Sequence, residues 1–120
     1  MRYLLASLLS LALVAAFARG AAAHAYLDHS QPADGAELAT PPAVIKLWFS
    51  RAIEPSFSRV RVVNAKGKQV DDGKATVSDN EPKLIQLGLK SLPSGKYTVI
   101  WRIVALDGHK AKGEFSFSVK

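Results

Sequence analysis

Between Lys96 and Val104 the chain alternates without a break: Tyr97, Val99, Trp101 and Ile103 fall on one side of an extended segment, Thr98, Ile100 and Arg102 on the other. Residues two apart share a face in a β-strand, and a face this large and apolar needs an opposing apolar layer. That layer is not helical. After residue 23 no stretch repeats apolar residues at the 3.6-residue period of an amphipathic helix. Other strands must therefore supply it. In Glu114 to Val119, Phe115, Phe117 and Val119 oppose Glu114, Ser116 and Ser118. In Val44 to Phe49, Ile45, Leu47 and Phe49 oppose Val44, Lys46 and Trp48, so Trp48 is expected to cover an edge or line a second contact, whereas Trp101 belongs to the core.

Shorter runs complete the set. Ala25 to Asp28, Phe57 to Val63 and Leu84 to Leu89 read as strands, and Lys68 to Val77 as one or two more, interrupted by Asp71-Asp72-Gly73. Ser30 to Pro42 reads as a loop carrying Gln31-Pro32-Ala33-Asp34-Gly35, as does Ser78 to Pro82, while Asn64-Ala65-Lys66-Gly67 and Leu92-Pro93-Ser94-Gly95 read as tight turns. About seven short strands with such turns predict an all-β fold, a small antiparallel two-sheet sandwich around one core. The length of 120 residues allows a single small domain.

The first residues do not belong to that domain. Arg2 is followed by an almost purely apolar run from Leu4 to Phe17 and then by small residues from Gly20 to Ala23, the layout of a secretory signal peptide. Ala21-Ala22-Ala23 favours cleavage that divides the chain into residues 1–23 and a mature domain of residues 24–120; Ala23-His24-Ala25 offers a second site that would remove His24. The formal charge of +6 loses Arg2 and Arg19 with the leader, and the remaining excess forms no block of like charges, which argues against a nucleic-acid partner. Cysteine is absent and the only methionine is Met1, so thiolate sites, disulfides and thioether ligands are excluded from the mature chain.

Three histidines remain. At a new N-terminus His24 presents its α-amine and Nδ1, which together close a chelate ring on a metal. Asp107-Gly108-His109 adds a carboxylate and a third nitrogen; in an extended segment residues i and i+2 point the same way. Three nitrogens and one oxygen suit the tetragonal geometry of Cu(II). Taken alone, Asp-Gly-His is also ordinary turn chemistry; the joint reading predicts one Cu(II) ion held by His24, Asp107 and His109. His29 reads either as a fourth imidazole or as a loop residue beside Ser30, and Tyr26 as a cover for the copper or a packing residue.

These pieces resemble the CopC family of periplasmic copper-binding proteins. The resemblance runs through His24-Ala25-Tyr26-Leu27, Ser30-Gln31-Pro32-Ala33-Asp34-Gly35-Ala36, Leu47-Trp48-Phe49-Ser50, Gly95 to Arg102, Asp107-Gly108-His109 and Gly113 to Val119. It implies a Greek-key sandwich, cupredoxin-like or immunoglobulin-like, with Cu(II) held by an N-terminal histidine brace at His24, Asp107 and His109. It also implies a periplasmic, monomeric, non-enzymatic protein acting in copper resistance, homeostasis or transport, with an inner-membrane CopD-type transporter as partner. Two departures stand out. Some members carry a methionine-rich Cu(I) segment, and Asn64 to Val77 has no methionine. Some place a glutamate where this chain has Arg51, with Glu54 a poor substitute; a cation there either pairs with Asp107 or disfavours copper. The alternatives are a histidine-brace copper monooxygenase and a sandwich module that binds no metal.

Overall fold

The computed structural model describes residues 27–120. Eight strands run in the order β1 (Leu27–Gln31), β2 (Glu37–Leu38), β3 (Val44–Phe49), β4 (Arg59–Asn64), β5 (Thr76–Ser78), β6 (Glu81–Gly88), β7 (Gly95–Val104) and β8 (Lys110–Val119), with a 3-10 turn at Pro55–Phe57. They form two four-stranded sheets, β1-β3-β6-β5 and β2-β8-β7-β4. The expected two-sheet sandwich is present, with one difference. β2 pairs in parallel with β8, Glu37 opposite Ser118, so the second sheet is mixed. The loop expected over Ser30 to Pro42 crosses from one sheet to the other here, and Gly35, Ser118 and Lys120 tie it down through their amides.

The inward faces are those the alternation predicts. Ile45, Leu47 and Phe49 of one sheet pack on Val60, Val62, Tyr97, Val99, Trp101, Ile103, Phe115 and Phe117 of the other. Phe49 meets Trp101 edge to face at 5.3 Å, and Tyr97 stacks on Phe117 at 5.5 Å. The Tyr97 hydroxyl donates to the Pro93 carbonyl, which gives its one polar atom a partner while the ring stays buried.

The strand boundaries differ from expectation where local chemistry competes with alternation. β1 continues to Gln31, into the expected loop; Ala25 lies outside the described residues. Phe57 ends a 3-10 turn opened by Pro55 instead of starting a strand, and the residue is 72% exposed. β6 begins at Glu81 and includes Pro82, at the irregular end of its ladder with β5, where a missing N–H costs nothing. Between Lys68 and Val77 only β5 is a full strand; the rest makes isolated bridges, Val63 to Gln69 and Asp71 to Leu89.

Gly113 shows how tightly the core closes. A Cβ built there would lie 2.5 Å from Cζ2 of Trp101, so the backbone of β8 is the lid on the indole. Gly113→Ala forces that rigid ring to move and is expected to destabilise the fold by about 1–3 kcal/mol, the usual cost of overpacking. A lowered urea midpoint with altered tryptophan fluorescence checks this; an unchanged midpoint would mean that the indole has room to yield.

Candidate metal centre

The β7–β8 hairpin carries Asp107 and His109 on its connecting loop. Backbone bonds fix that loop at both ends: the Ala105 amide donates to the His109 carbonyl at 2.8 Å and the Gly108 amide to the Ala105 carbonyl at 2.9 Å. It is also stitched to the segment after β3, through Leu106 N to Ala52 O at 3.0 Å and Glu54 N to Val104 O at 2.9 Å. Glu54 enters the arrangement through its backbone. Gly108 has φ +89°, a conformation that glycine adopts without the steric cost of a Cβ.

Asp107 and His109 do converge, although not along an extended strand. The residues between Ala105 and Lys110 turn, and the Asp107 side chain organises the turn: its Oδ1 accepts from the His109 amide at 3.0 Å and pairs with His109 Nδ1 at 2.9 Å. Aspartate favours this local bond two residues ahead, which is why Asp-Gly-His makes a turn. Arg51, just past β3, donates its guanidinium to Oδ2. The two alternatives for Arg51 thus resolve toward pairing with Asp107.

This network sets the protonation pattern. The His109 amide, followed by the Arg51 guanidinium, holds the Asp107 carboxyl below its ordinary range, against some opposing desolvation. An ionised carboxylate accepts hydrogen bonds and cannot donate them, so His109 Nδ1 must carry the proton of their shared bond. The lone pair of the neutral ring then lies on Nε2, the atom through which this tautomer would ligate a metal. The His109 side chain is 62% exposed and that of Asp107 42%, so an ion can reach them from solvent.

His24 and Tyr26 lie outside the described residues. Among the described residues no three His, Asp or Glu side chains come together as a metal-binding group. His29 is not a loop residue. It sits on β1 opposite Trp48, with the two rings stacked at 4.3 Å and 10° and its Nδ1 2.8 Å from Asp28 Oδ2. Trp48 therefore gains a second contact, as its outward position predicts. This stack was not readable from sequence because it depends on the β1–β3 register, which shifts between Leu27 and His29.

The CopC domain profile matches residues 27–120. The chain belongs to the CopC family. Protein YobA from Escherichia coli K12 is 38% identical over 82% of this chain and 80% of its own length. Copper resistance protein C from Xanthomonas campestris pv. juglandis is 37% identical over 92% of this chain and 87% of its own. The crystal structure of CopC from Methylosinus trichosporium OB3b superposes with a TM-score of 0.75 at 30% identity, covering 81% of this chain and 94% of that one. As a CopC-family chain, this one combines the family's sandwich with an absence of methionine from residues 27–120.

Proposed function

We propose that this protein is an exported carrier of Cu(II), acting in the periplasm in copper resistance or supply. In this reading a signal peptide of residues 1–23 is removed, and residues 24–120 hold one ion through the α-amine and Nδ1 of His24 and Nε2 of His109, with Asp107 beside them. The supporting observation is the Asp107–His109 turn, which directs Nδ1 to a carboxylate as in a ligand histidine oriented by its second nitrogen. The β1 register is compatible with a brace: Leu27 pairs with Phe49, two residues before Arg51, and three further residues of chain span at most about 10 Å. Copper resistance is also what the name of the Xanthomonas campestris relative describes. The role is binding and delivery by ligand exchange, not catalysis, and a CopD-type membrane transporter is the receiver that fits it.

Arg51 defines the part played by Asp107. With Oδ1 committed to His109 and Oδ2 to Arg51, the carboxylate orients the imidazole and ligates copper directly only when the guanidinium yields. Arg51→Ala removes that competitor. Exposed ion pairs of this kind are worth up to about 1 kcal/mol, so Cu(II) affinity should rise by no more than about fivefold. A competition titration reads this, and a fall in affinity would show that Arg51 supports the site.

The pH response follows from the same network. The Asp107 carboxyl is depressed, so its contribution is present above the ordinary carboxylate range and is lost only as pH falls through its lowered value. Between pH 7 and pH 5 it stays ionised. Copper release over that interval should therefore come from protonation of the nitrogens, because metal and proton compete for them. Asp107→Asn should leave the number of protons taken up per copper released between pH 7 and pH 5 unchanged, even where weaker binding moves the midpoint; fewer protons would assign one of them to Asp107.

The decisive experiment is N-terminal sequencing of the exported protein, followed by Cu(II) titration of the same sample with a free and with an acetylated amine. A His24 start and a large affinity loss on acetylation are expected. A Tyr26 start, or equal affinity after acetylation, would rule out the brace.

A further inference from the structure

The outer face of the second sheet carries charge in an arrangement that the fold does not need. Register places Arg59 opposite Arg102, and Arg102 opposite Lys112, so three cations lie side by side across β4, β7 and β8. Directly facing like charges destabilise a sheet. The adjoining rows add Arg61 opposite Ile100 and Lys110 opposite Val104, with Glu114 as the one carboxylate, facing Ile100. Among the described residues, none of these five cations has a carboxylate within ion-pair distance.

A second observation lies on the same face. Phe57 separates two open depressions, one lined by Arg102, Lys110 and Lys112, the other by Arg59, Arg61 and Arg102. Its ring is largely exposed, yet its backbone is held: the Ser58 hydroxyl donates to the Glu54 carbonyl at 2.8 Å and accepts from the Val104 amide at 3.0 Å. An aromatic ring is thus presented on a pinned turn amid five cations.

We propose that this face is a docking surface for an anionic phospholipid bilayer, with the cations on headgroup phosphates and Phe57 at the headgroup–acyl boundary. Cations around an isolated aromatic anchor are the composition of a peripheral membrane face. The core of a protein interface, by contrast, is depleted in charge and built from clustered apolar groups. An export signal in the sequence is consistent with a membrane-bounded compartment. The proposal is independent of copper, although β7 and β8 also flank the Asp107–His109 loop, so docking brings that loop to the bilayer.

The test is flotation of the exported protein with phosphatidylcholine vesicles that contain or lack about one third phosphatidylglycerol, at low and high salt. Binding only to the anionic vesicles, and loss of binding at high salt, are expected. R102E puts a carboxylate between Arg59 and Lys112, so it should hold or raise the melting temperature while weakening vesicle binding by roughly tenfold or more. Phe57→Ser should weaken it by about tenfold. Equal binding to both vesicle types, or no effect of R102E, would overturn the proposal. So would capture of soluble polyglutamate without vesicle binding, which would assign the face to an acidic protein instead.

Discussion

Replacing His109 with alanine is expected to weaken Cu(II) binding by well over tenfold and to leave the fold as stable as before. The two halves of that expectation come from the same geometry. The ring stands on a hairpin loop with its side chain 62% exposed, so its loss should shift stability by less than about 0.5 kcal/mol. The loop keeps its shape, since the bonds that close it join Ala105, Gly108 and the backbone of residue 109. What disappears is Nε2, the donor nitrogen that the sandwich adds to those of His24 in the proposed site. A titration in which His109→Ala matches the parent chain would mean that the terminal residues bind copper by themselves, as a short peptide does, and that the sandwich is a passenger. Removing Asp107 instead should cost about 10–100-fold, the usual penalty for losing a carboxylate that orients a ligand histidine.

How much of this was legible in the sequence depends on the range of the forces involved. Alternation located the inward faces of β3, β7 and β8 correctly, because a half-buried strand writes its burial into every second residue. It failed at strand ends, where local chemistry or an irregular ladder competes with alternation. Pro82 reads as a loop residue but sits at an irregular ladder end, and Phe57 reads as a strand opener but lies in the turn that Pro55 starts. The candidate site divides in the same way. Asp107 and His109 were identified by chemistry and come together, but through a side-chain turn instead of parallel extension. The Arg51 contact spans 56 positions, and sequence offered it only as one of two alternatives. The row of Arg59, Arg102 and Lys112 is not legible in the sequence, since a cation row across three strands looks like scattered charge along the chain.

Asp71 is the residue whose loss should damage the fold most for the smallest change in volume. Its place in the sequence is a turn between short strands, and in the structure the residue is 3% exposed. β4 is the last strand of its sheet, which leaves an open edge of backbone amides and carbonyls. The segment after the hairpin covers that edge: Val70 N donates to the Val62 carbonyl at 2.8 Å, and Asp71 Oδ2 accepts from the Val62 amide at 2.8 Å where a neighbouring strand's carbonyl would otherwise stand. Oδ1 meanwhile accepts from Gln69 Nε2 at 2.9 Å and from the Gly73 amide at 2.8 Å. The same segment reaches the other sheet, through Asp72 N to Gly88 O at 3.0 Å and Lys90 N to Val70 O at 2.9 Å, so it closes one side of the sandwich. Asp71→Ala strands the Val62 and Gly73 amides together, each costing about 1–3 kcal/mol when unsatisfied. A net loss of about 3 kcal/mol should lower the melting temperature by roughly 15 °C in a domain of this size. Asp71→Asn tests the cause. All three partners donate, so an amide must turn its own NH₂ toward one of them, and it should recover only part of the loss. If the asparagine variant melted with the parent chain, the carboxylate would be filling space and not satisfying the edge.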